Sequence, residues 1–137
     1  MGRVATILVN WNRLQDTLAC LGSLAAQSYS DCTTIVVDNG SSEDASFITM
    51  RYPEVVLICN QDNLGFCGGT NIGIRKAAEL GAEYCWILNN DTTVAPDCLA
   101  RLVKALEDDA GLAAVAHPIF YFYDRRLLWF AGGIFHR

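Results

Sequence analysis

Asparagine and aspartate residues recur at four places in the sequence, each directly after a run of apolar residues. The clusters are Asn10 and Asn12, Asp38 and Asn39, Asn60, Asp62 and Asn63, and Asn89 to Asp91. Amide and carboxylate groups together offer hydrogen-bond donors, acceptors and negative charge. Such a set suits a ligand with hydroxyl groups, the edge of a nucleobase, or a hard cation. Each cluster alone also has a structural explanation, because Asn and Asp favour turns and helix caps.

The apolar runs before these clusters predict the elements that must position them. They predict five strands, at Val4–Val9, Thr33–Asp38, Val55–Asn60, Tyr84–Asn89 and Leu112–His117. Helical spacing between the strands predicts helices at Leu14–Leu24, Ala45–Arg51, Thr70–Leu80 and after Pro96. Because the strands are apolar throughout, we expect an α/β fold with a mostly parallel sheet and helices on both faces.

Parallel strands end at the same edge of their sheet, and open sheets of this kind bind ligands outside that edge. We therefore expect the four clusters to form one polar rim. The glycine-rich segment Asn63–Gly73 lies beside it, between the third strand and the third helix. Its glycines allow either a ligand loop or a plain structural turn, and it fits neither G-x-G-x-x-G nor a P-loop.

Length, charge and cysteine content limit the class of protein. A chain of 137 residues, of which 52% are hydrophobic, fits one globular domain. The net charge of −5 argues against a nucleic-acid partner, because such binding needs a Lys/Arg surface. The six cysteines lack C-x-x-C spacing, which predicts reduced thiols and a reducing cytosol. No apolar run is long enough for an export signal or a spanning helix.

Four linked segments carry a resemblance to a known family. In chain order they read ILVNWNR, VVDNGSSED, NLGFCGGTNIGI and ILNNDTTV. Together, from about Val4 to Asp109, they resemble the inverting family 2 glycosyltransferases with the Rossmann-like GT-A fold. The NWN sequence and the glycine segment are most similar to the rhamnosyltransferase-like branch. The resemblance implies transfer, with inversion, of a sugar from a UDP- or dTDP-sugar to a glycan or lipid-linked acceptor.

The resemblance also implies roles for single residues. Asp38 would accept a hydrogen bond from the pyrimidine base, with an Asx-turn or a helix cap as the alternative. Asn10 and Asn12 would line the base and ribose pocket, with helix capping as the alternative. The other residues of the nucleotide-sugar site would be Gly65, Gly69, Asn71, Asn89 and Asn90. Asn71 has capping as an equal alternative.

Asp91 would hold Mg²⁺ or Mn²⁺ against the diphosphate, in the place of the last Asp of the family's Asp-x-Asp signature. Asn89 and Asn90 stand where carboxylates are often found, so they bring no charge to the site. We therefore expect weak metal binding until the diphosphate supplies its own oxygens. A turn is the alternative role of Asp91.

The general base of the family is not found in the sequence. Asp124 does not match the acidic motif of the family, and His117 and His136 have no partner that marks a catalytic role. We therefore expect residues 1–137 to form a single GT-A-type domain that ends before the acceptor-binding half. Its aromatic C-terminal segment would then be exposed, or covered in a homo-oligomer.

Two alternatives belong to other functional classes. A non-catalytic nucleotide-sugar-binding module would keep the polar rim but lack the base and the acceptor site. A phosphoacceptor signalling domain would need paired acids after the first strand, where Asn10 and Asn12 stand, and a Lys after the fifth. For the enzyme we expect a role in polysaccharide biosynthesis in the cytoplasm, peripheral at the inner face of the membrane.

Overall fold

The computed structural model describes residues 2–132 and shows a parallel sheet with helices on both faces. In chain order the elements are β1 (Val4–Asn10), α1 (Leu14–Leu24), β2 (Cys32–Asn39), α2 (Ser46–Arg51), β3 (Val56–Asn60), α3 (Gly65–Glu79), β4 (Tyr84–Ile87), α4 (Cys98–Asp108), β5 (Ile119–Phe120) and β6 (Leu128–Phe130). The first four strands form one sheet in the order β3-β2-β1-β4, and every pairing in it is parallel. The predicted α/β fold is confirmed.

Strand β1 lies inside the sheet and buries both of its faces. Leu8 packs on one face with residues of α1 and α2, and Val4 on the same face packs with Leu99 of α4. Ile7 and Ala5 point to the other face, where α3 covers them. This burial on both sides explains the unbroken apolar run, and it fixes the place where the run ends in Asn10.

The register of the strands brings the polar clusters to one edge. Asn10 lies opposite Asp38, and Asn39 lies opposite Asn60. On the other side of β1, the Leu88 N–H donates to the Ile7 carbonyl at 3.1 Å. Residues 89–91 therefore leave β4 at the same edge, and the expected polar rim is formed.

The helix α3 begins at Gly65 and not at Thr70, so the expected glycine loop is its first two turns. A Cβ placed at Gly69 would lie 2.9 Å from Val9 Cγ1, and a Cβ at Gly73 would collide with Ile7. These glycines allow the helix to lie close against β1. The sequence suggested a loop because glycine weakens an isolated helix, but this packing overrides that preference.

The predicted fifth strand, Leu112–His117, was wrong. Residues 112–117 pair with no strand in the part of the chain that the structure describes. Three of these six residues are alanine, which has a low preference for strands and little side-chain area to bury. Strand β4 is consequently left at the edge of the four-stranded sheet.

Strands β5 and β6 form a separate antiparallel hairpin. Its exposed apolar side chains include Phe120, Phe122, Tyr123, Trp129 and Phe130. This exposed surface agrees with the expectation for the aromatic segment, while its coverage by a second copy stays a prediction. Residues 133–137, which include His136, lie outside the described residues.

The sequence predicted reduced thiols and no membrane-spanning helix. All six cysteines lie within residues 2–132 and are free. Within the same residues, every helix is too short or too polar to cross a membrane.

Candidate functional site

Asp38 is the penultimate residue of β2 and is almost fully buried, with 4% of its surface exposed. Its Oδ1 accepts hydrogen bonds from Asn10 Nδ2 at 2.7 Å and from Ser41 Oγ at 2.6 Å. Its Oδ2 accepts one from the Ser41 N–H at 3.1 Å. The two Ser41 contacts hold the turn after β2, and they reach one residue further along the chain than the Asx-turn that the sequence offered as an alternative. Oδ2 still has a lone pair for a second donor, so the turn is compatible with ligand binding.

A chain of side-chain hydrogen bonds connects Asn10 with the turn after β4. Thr17 Oγ1 donates to Asn10 Oδ1 at 2.8 Å and accepts from Asn90 Nδ2 at 2.9 Å. Thr17 is fully buried on α1. Sequence reasoning missed Thr17 because α1 was recognised from its leucines. The available signal was its place in the buried stripe of that helix, between Leu14 and Leu21.

Asn12 ties together the loops that follow β1 and β2. Its Oδ1 accepts from the Ser42 N–H at 2.8 Å, and its own N–H donates to Ser41 Oγ at 2.9 Å. Its φ of 51° lies in the left-handed region, which Asn tolerates better than most residues. Asn12 does not cap α1, because the first N–H of that helix, at Leu14, donates to Glu43 Oε2 at 2.9 Å.

Asn39 is the second buried side chain at the end of β2 and points to the opposite face from Asp38. Its Oδ1 accepts from Asn60 Nδ2 at 2.9 Å and from the Leu64 N–H at 3.2 Å. Its Nδ2 donates to Asn63 Oδ1 at 2.8 Å and to the Gly65 carbonyl at 3.0 Å. Asn39 thus joins β2 and β3 to the start of α3 with no bonding capacity left over, which is a structural role.

The α3 residues predicted for the site have different surroundings. Gly65 begins the helix with a φ of 73°, and its N–H donates to Asn63 Oδ1 at 2.8 Å. Gly69 is buried against β1, and a Cβ at this position would also lie 3.6 Å from Asn39 Cγ, so a contact of Gly69 with a ligand at the rim stays a prediction. Asn71 is exposed in the second turn of α3, so the capping alternative for Asn71 was wrong.

Asp91 lies in the turn after β4, where the Thr92 N–H donates to the Asn89 carbonyl at 3.2 Å. The side chain of Asp91 is exposed. Cys20 of α1 lies beneath this turn, with its Sγ 3.9 Å from the Asn89 carbonyl oxygen. Burial, and then the negative charge of Asp91, raise the pKa of the Cys20 thiol to about 12.

The donor set around Asp91 decides which metal the turn suits. Residues 2–132 contain no group of three or more His, Cys, Asp or Glu side chains placed to hold a metal ion. A carboxylate with neutral amide oxygens nearby cannot complete a protein-only metal site. It does fit Mg²⁺ or Mn²⁺ that takes most of its ligands from a diphosphate and water.

The candidates for a general base have structural contacts instead. Asp124 pairs with Arg126, with Nε to Oδ1 and Nη2 to Oδ2 distances of 2.9 Å each. His117 Nε2 lies 3.0 Å from the Cys98 carbonyl oxygen. The described residues therefore supply a rim that can hold a ligand, without a base assigned to it.

Solved structures of glycosyltransferases share this arrangement of strands and helices. The mannosyltransferase PcManGT from Pyrobaculum calidifontis, in complex with GDP-Man and Mn²⁺, matches with a TM-score of 0.69 at 24% identity, over 77% of this chain and 32% of that one. S. aureus TarS 1-349 in complex with UDP matches with a TM-score of 0.66 at 18% identity, over 77% and 32%. The fold is therefore the GT-A fold.

Sequence comparison defines the family. The family model described as glycosyl transferase family 2 matches residues 6–135, and the chain belongs to this family. The dTDP-rhamnosyl transferase RfbF of Shigella flexneri is 27% identical over 123 residues, which is 89% of this chain. The match covers 40% of RfbF, so the chain spans less than half of that relative's length.

Proposed function

We propose that this chain binds the nucleotide-sugar donor of a glycosyltransferase reaction, a UDP- or dTDP-sugar. The observation that carries the proposal is the buried Asp38, held by Asn10 at the same sheet edge as the turn of Asp91. Membership of glycosyl transferase family 2 supports sugar transfer. Structures of TarS with UDP and of PcManGT with GDP-Man support a nucleotide-sugar as the donor.

In this proposal the end of β2 binds the base. The free lone pair of Asp38 Oδ2 would accept a hydrogen bond from the ring N–H of uracil or thymine. Asn10 and Asn12 would line the base and ribose pocket. The other residues of the site, which would complete the contacts with the rest of the nucleotide-sugar, are Gly65, Gly69, Asn71, Asn89 and Asn90.

Asp91 would hold the divalent cation. When bound, Mg²⁺ or Mn²⁺ supplies neutralisation of the charge that develops on the leaving diphosphate. Since Asp91 is exposed and its turn offers otherwise neutral oxygens, we expect the cation to bind together with the diphosphate and not before it.

The proposed reaction is inverting transfer to a glycan or lipid-linked acceptor, with the rhamnosyl transferase RfbF as support for the rhamnosyltransferase-like branch. Direct displacement at the anomeric carbon needs a base that takes the proton of the acceptor hydroxyl. The residues described here would orient the donor and present its anomeric carbon at the rim.

A non-catalytic nucleotide-sugar-binding module is the second candidate function. It is favoured by the pairing of Asp124 with Arg126 and by the contact of His117 with the Cys98 carbonyl, because neither is free to act as the base. Both candidates bind UDP with Mn²⁺, but only the enzyme transfers sugar. An assay of transfer from a UDP- or dTDP-sugar separates them.

Calorimetric titration of UDP and dTDP, with and without Mn²⁺, tests the proposal. We expect Asp91→Ala to keep the metal-free affinity and to lose the gain in affinity that Mn²⁺ provides. Asp109→Ala is the matched control, because Asp109 is an exposed aspartate that follows α4, and α4 packs through Leu99 against Val4 at the start of β1, away from the rim. If the wild type binds neither nucleotide, or if Asp91→Ala keeps the full gain from Mn²⁺, the proposal is wrong.

A further inference from the structure

We propose that Thr17 is a positioning residue that couples the two ends of the donor site, the Asp38 end and the Asp91 turn. This inference rests on the proposed function. Three hydrogen bonds run in one direction, from Asn90 to Thr17, from Thr17 to Asn10 and from Asn10 to Asp38. Their lengths are 2.9, 2.8 and 2.7 Å.

The single proton of the Thr17 hydroxyl has two acceptors within reach. Asn10 Oδ1 lies at 2.8 Å and the Arg13 carbonyl lies at 3.2 Å. The Arg13 carbonyl already accepts the Thr17 N–H at 3.0 Å. Asn10 is buried, and Thr17 is the donor to its Oδ1 among the described residues. The proton therefore belongs on the bond to Asn10, where its loss would leave a buried acceptor unsatisfied.

This bond also sets the orientation of the Asn10 amide. With Oδ1 turned towards the Thr17 hydroxyl, Nδ2 is turned towards Asp38 and donates to its Oδ1. A reversed amide would place an oxygen against the carboxylate, which is repulsive. Thr17 thus holds the Asn10 amide in the one orientation that lets it support Asp38.

The bond from Asn90 fixes the other end of the site. The ladder between β1 and β4 ends with the Leu88 N–H and the Ile7 carbonyl, which is the last backbone bond between these two segments in the described residues. Beyond this point three contacts tie the turn to α1. The Asn90 Nδ2 donates to Thr17 at 2.9 Å, the Val94 N–H donates to Ser23 Oγ at 3.2 Å, and Cys20 Sγ lies 3.9 Å from the Asn89 carbonyl oxygen. The bond from Asn90 is the shortest of the three, and Asp91 is the next residue along the chain.

Variants at three positions test the coupling. Thr17→Val keeps the shape of the side chain and removes the hydroxyl, and Thr17→Ser keeps the hydroxyl. Thr6→Val is the matched control, because Thr6 is also fully buried with a hydroxyl contact, to Cys32 Sγ at 3.2 Å, but lies earlier in β1. The first measurement, without ligand, is solvent exchange of the Asn10 and Asn90 side-chain amide protons by NMR. The second is the ratio of UDP affinities with and without Mn²⁺.

In Thr17→Val we expect faster exchange of the Asn90 side-chain amide protons and a changed exchange rate of those of Asn10. We also expect the gain in UDP affinity from Mn²⁺ to be about tenfold smaller, which corresponds to the loss of one buried hydrogen bond. Thr17→Ser and Thr6→Val should stay within about twofold of the wild type. Asn90→Ala removes the hydrogen bond to Thr17 from the more exposed end of the series, and it should fold even if Thr17→Val does not. It should lower the ratio of UDP affinities with and without Mn²⁺ while leaving the exchange of the Asn10 amide protons unchanged.

The two readouts separate the inference from the function on which it rests. Changed amide exchange with an unchanged Mn²⁺ ratio, or no change in either readout, would overturn the role of Thr17. Absence of UDP binding in the wild type would instead overturn the proposed function, whatever the amide protons show.

Discussion

At the scale of single residues, most buried polar side chains of this domain have bonding partners. Asn10, Thr17, Asp38 and Asn39 are each held by hydrogen bonds inside the protein. Thr70 is the exception, because it is 6% exposed and its hydroxyl has no partner within the described residues. An unsatisfied buried hydroxyl lowers stability, since its bonds to water are lost on folding and not replaced.

We predict that Thr70→Val stabilises the domain by about 1 kcal/mol, because the methyl group that replaces the hydroxyl needs no partner. Thr6→Val should have the opposite effect, by about 1 kcal/mol, because it breaks a contact with Cys32. Chemical denaturation of both variants measures the free energy of unfolding. A loss of stability in Thr70→Val would mean that its hydroxyl has a partner in solution.

The buried thiol of Cys20 predicts a pH dependence of stability. Its pKa is raised from the ordinary 9.0 to about 12 in the folded protein. Between these two pKa values the folded state keeps a proton that the unfolded state loses. The stability that the protonated thiol contributes is therefore fully present below pH 9 and is lost as the pH rises to about 12. Within this window the free energy of unfolding would fall by about 1.4 kcal/mol per pH unit.

Unfolding by urea at several alkaline pH values measures this slope. Cys20→Ala should remove this part of it, while Cys67→Ala, at an exposed cysteine, should leave the slope unchanged. Equal slopes in the wild type and Cys20→Ala would show that the Cys20 thiol ionises as readily in the folded protein as in the unfolded chain.

At the scale of elements, the contact between α3 and β1 explains two glycines that the sequence suggested were part of a loop. Gly69 and Gly73 face Val9 and Ile7, where a methyl group has no room. Gly22, in α1, differs, because a Cβ there would meet only the Tyr52 hydroxyl, at an ordinary 3.4 Å. Glycine at position 22 is therefore replaceable, while glycine at position 73 is required by the distance between helix and sheet.

We predict that Gly73→Ala lowers the free energy of unfolding by about 1–3 kcal/mol, because α3 must move away from β1. Gly22→Ala is the matched control and should raise it by about 0.5–1 kcal/mol, because alanine favours a helix. Thermal and chemical unfolding measure both effects. If Gly73→Ala is as stable as Gly22→Ala, α3 does not lie as close to β1 as the structure shows.

The sequence was sufficient for the elements whose signal is local. The four strands of the sheet, α1, α2 and α4 follow from apolar runs and helical spacing, and the rim follows from the residues that end the strands. The start of α3 at Gly65 depends on the close contact of this helix with β1, which overrides the local preference of its glycines. The hydrogen bonds of Thr17 depend on Asn10 and Asn90, and the helical pattern shows only that Thr17 is buried. The strand predicted at residues 112–117 was wrong for a local reason, because half of its residues are alanine.

At the scale of the whole molecule, the hairpin of β5 and β6 stands out because it exposes large apolar side chains to solvent. Tyr123 is 97% exposed and Trp129 is 60% exposed, and both lie among other apolar side chains. Contiguous apolar surface of this kind usually marks a place of contact with another surface. We therefore expect the chain to associate through this hairpin when studied alone.

We predict that light scattering shows a mass that rises with protein concentration, and that Phe120→Lys with Trp129→Lys lowers this association. The charges keep the hairpin in water and oppose the approach of a second apolar surface. Met50→Lys is the control, because Met50 is an exposed apolar residue of α2, outside the hairpin. A wild-type chain that stays monomeric at high concentration and binds no apolar dye would contradict the prediction.

The place of β1 between β2 and β4 has a consequence for synthesis of the chain. On one side, β1 pairs with β2, as Leu8 does with Val36. On the other side it pairs with β4, as Ile7 does with Ile87, which is synthesised much later. A nascent chain on the ribosome can therefore join β1, β2 and β3 while one side of β1 is still open. Contacts between such distant segments form late, because the chain must close a long loop first. The proposed donor site would be completed after these three strands have joined, when Asn90 emerges and reaches Thr17.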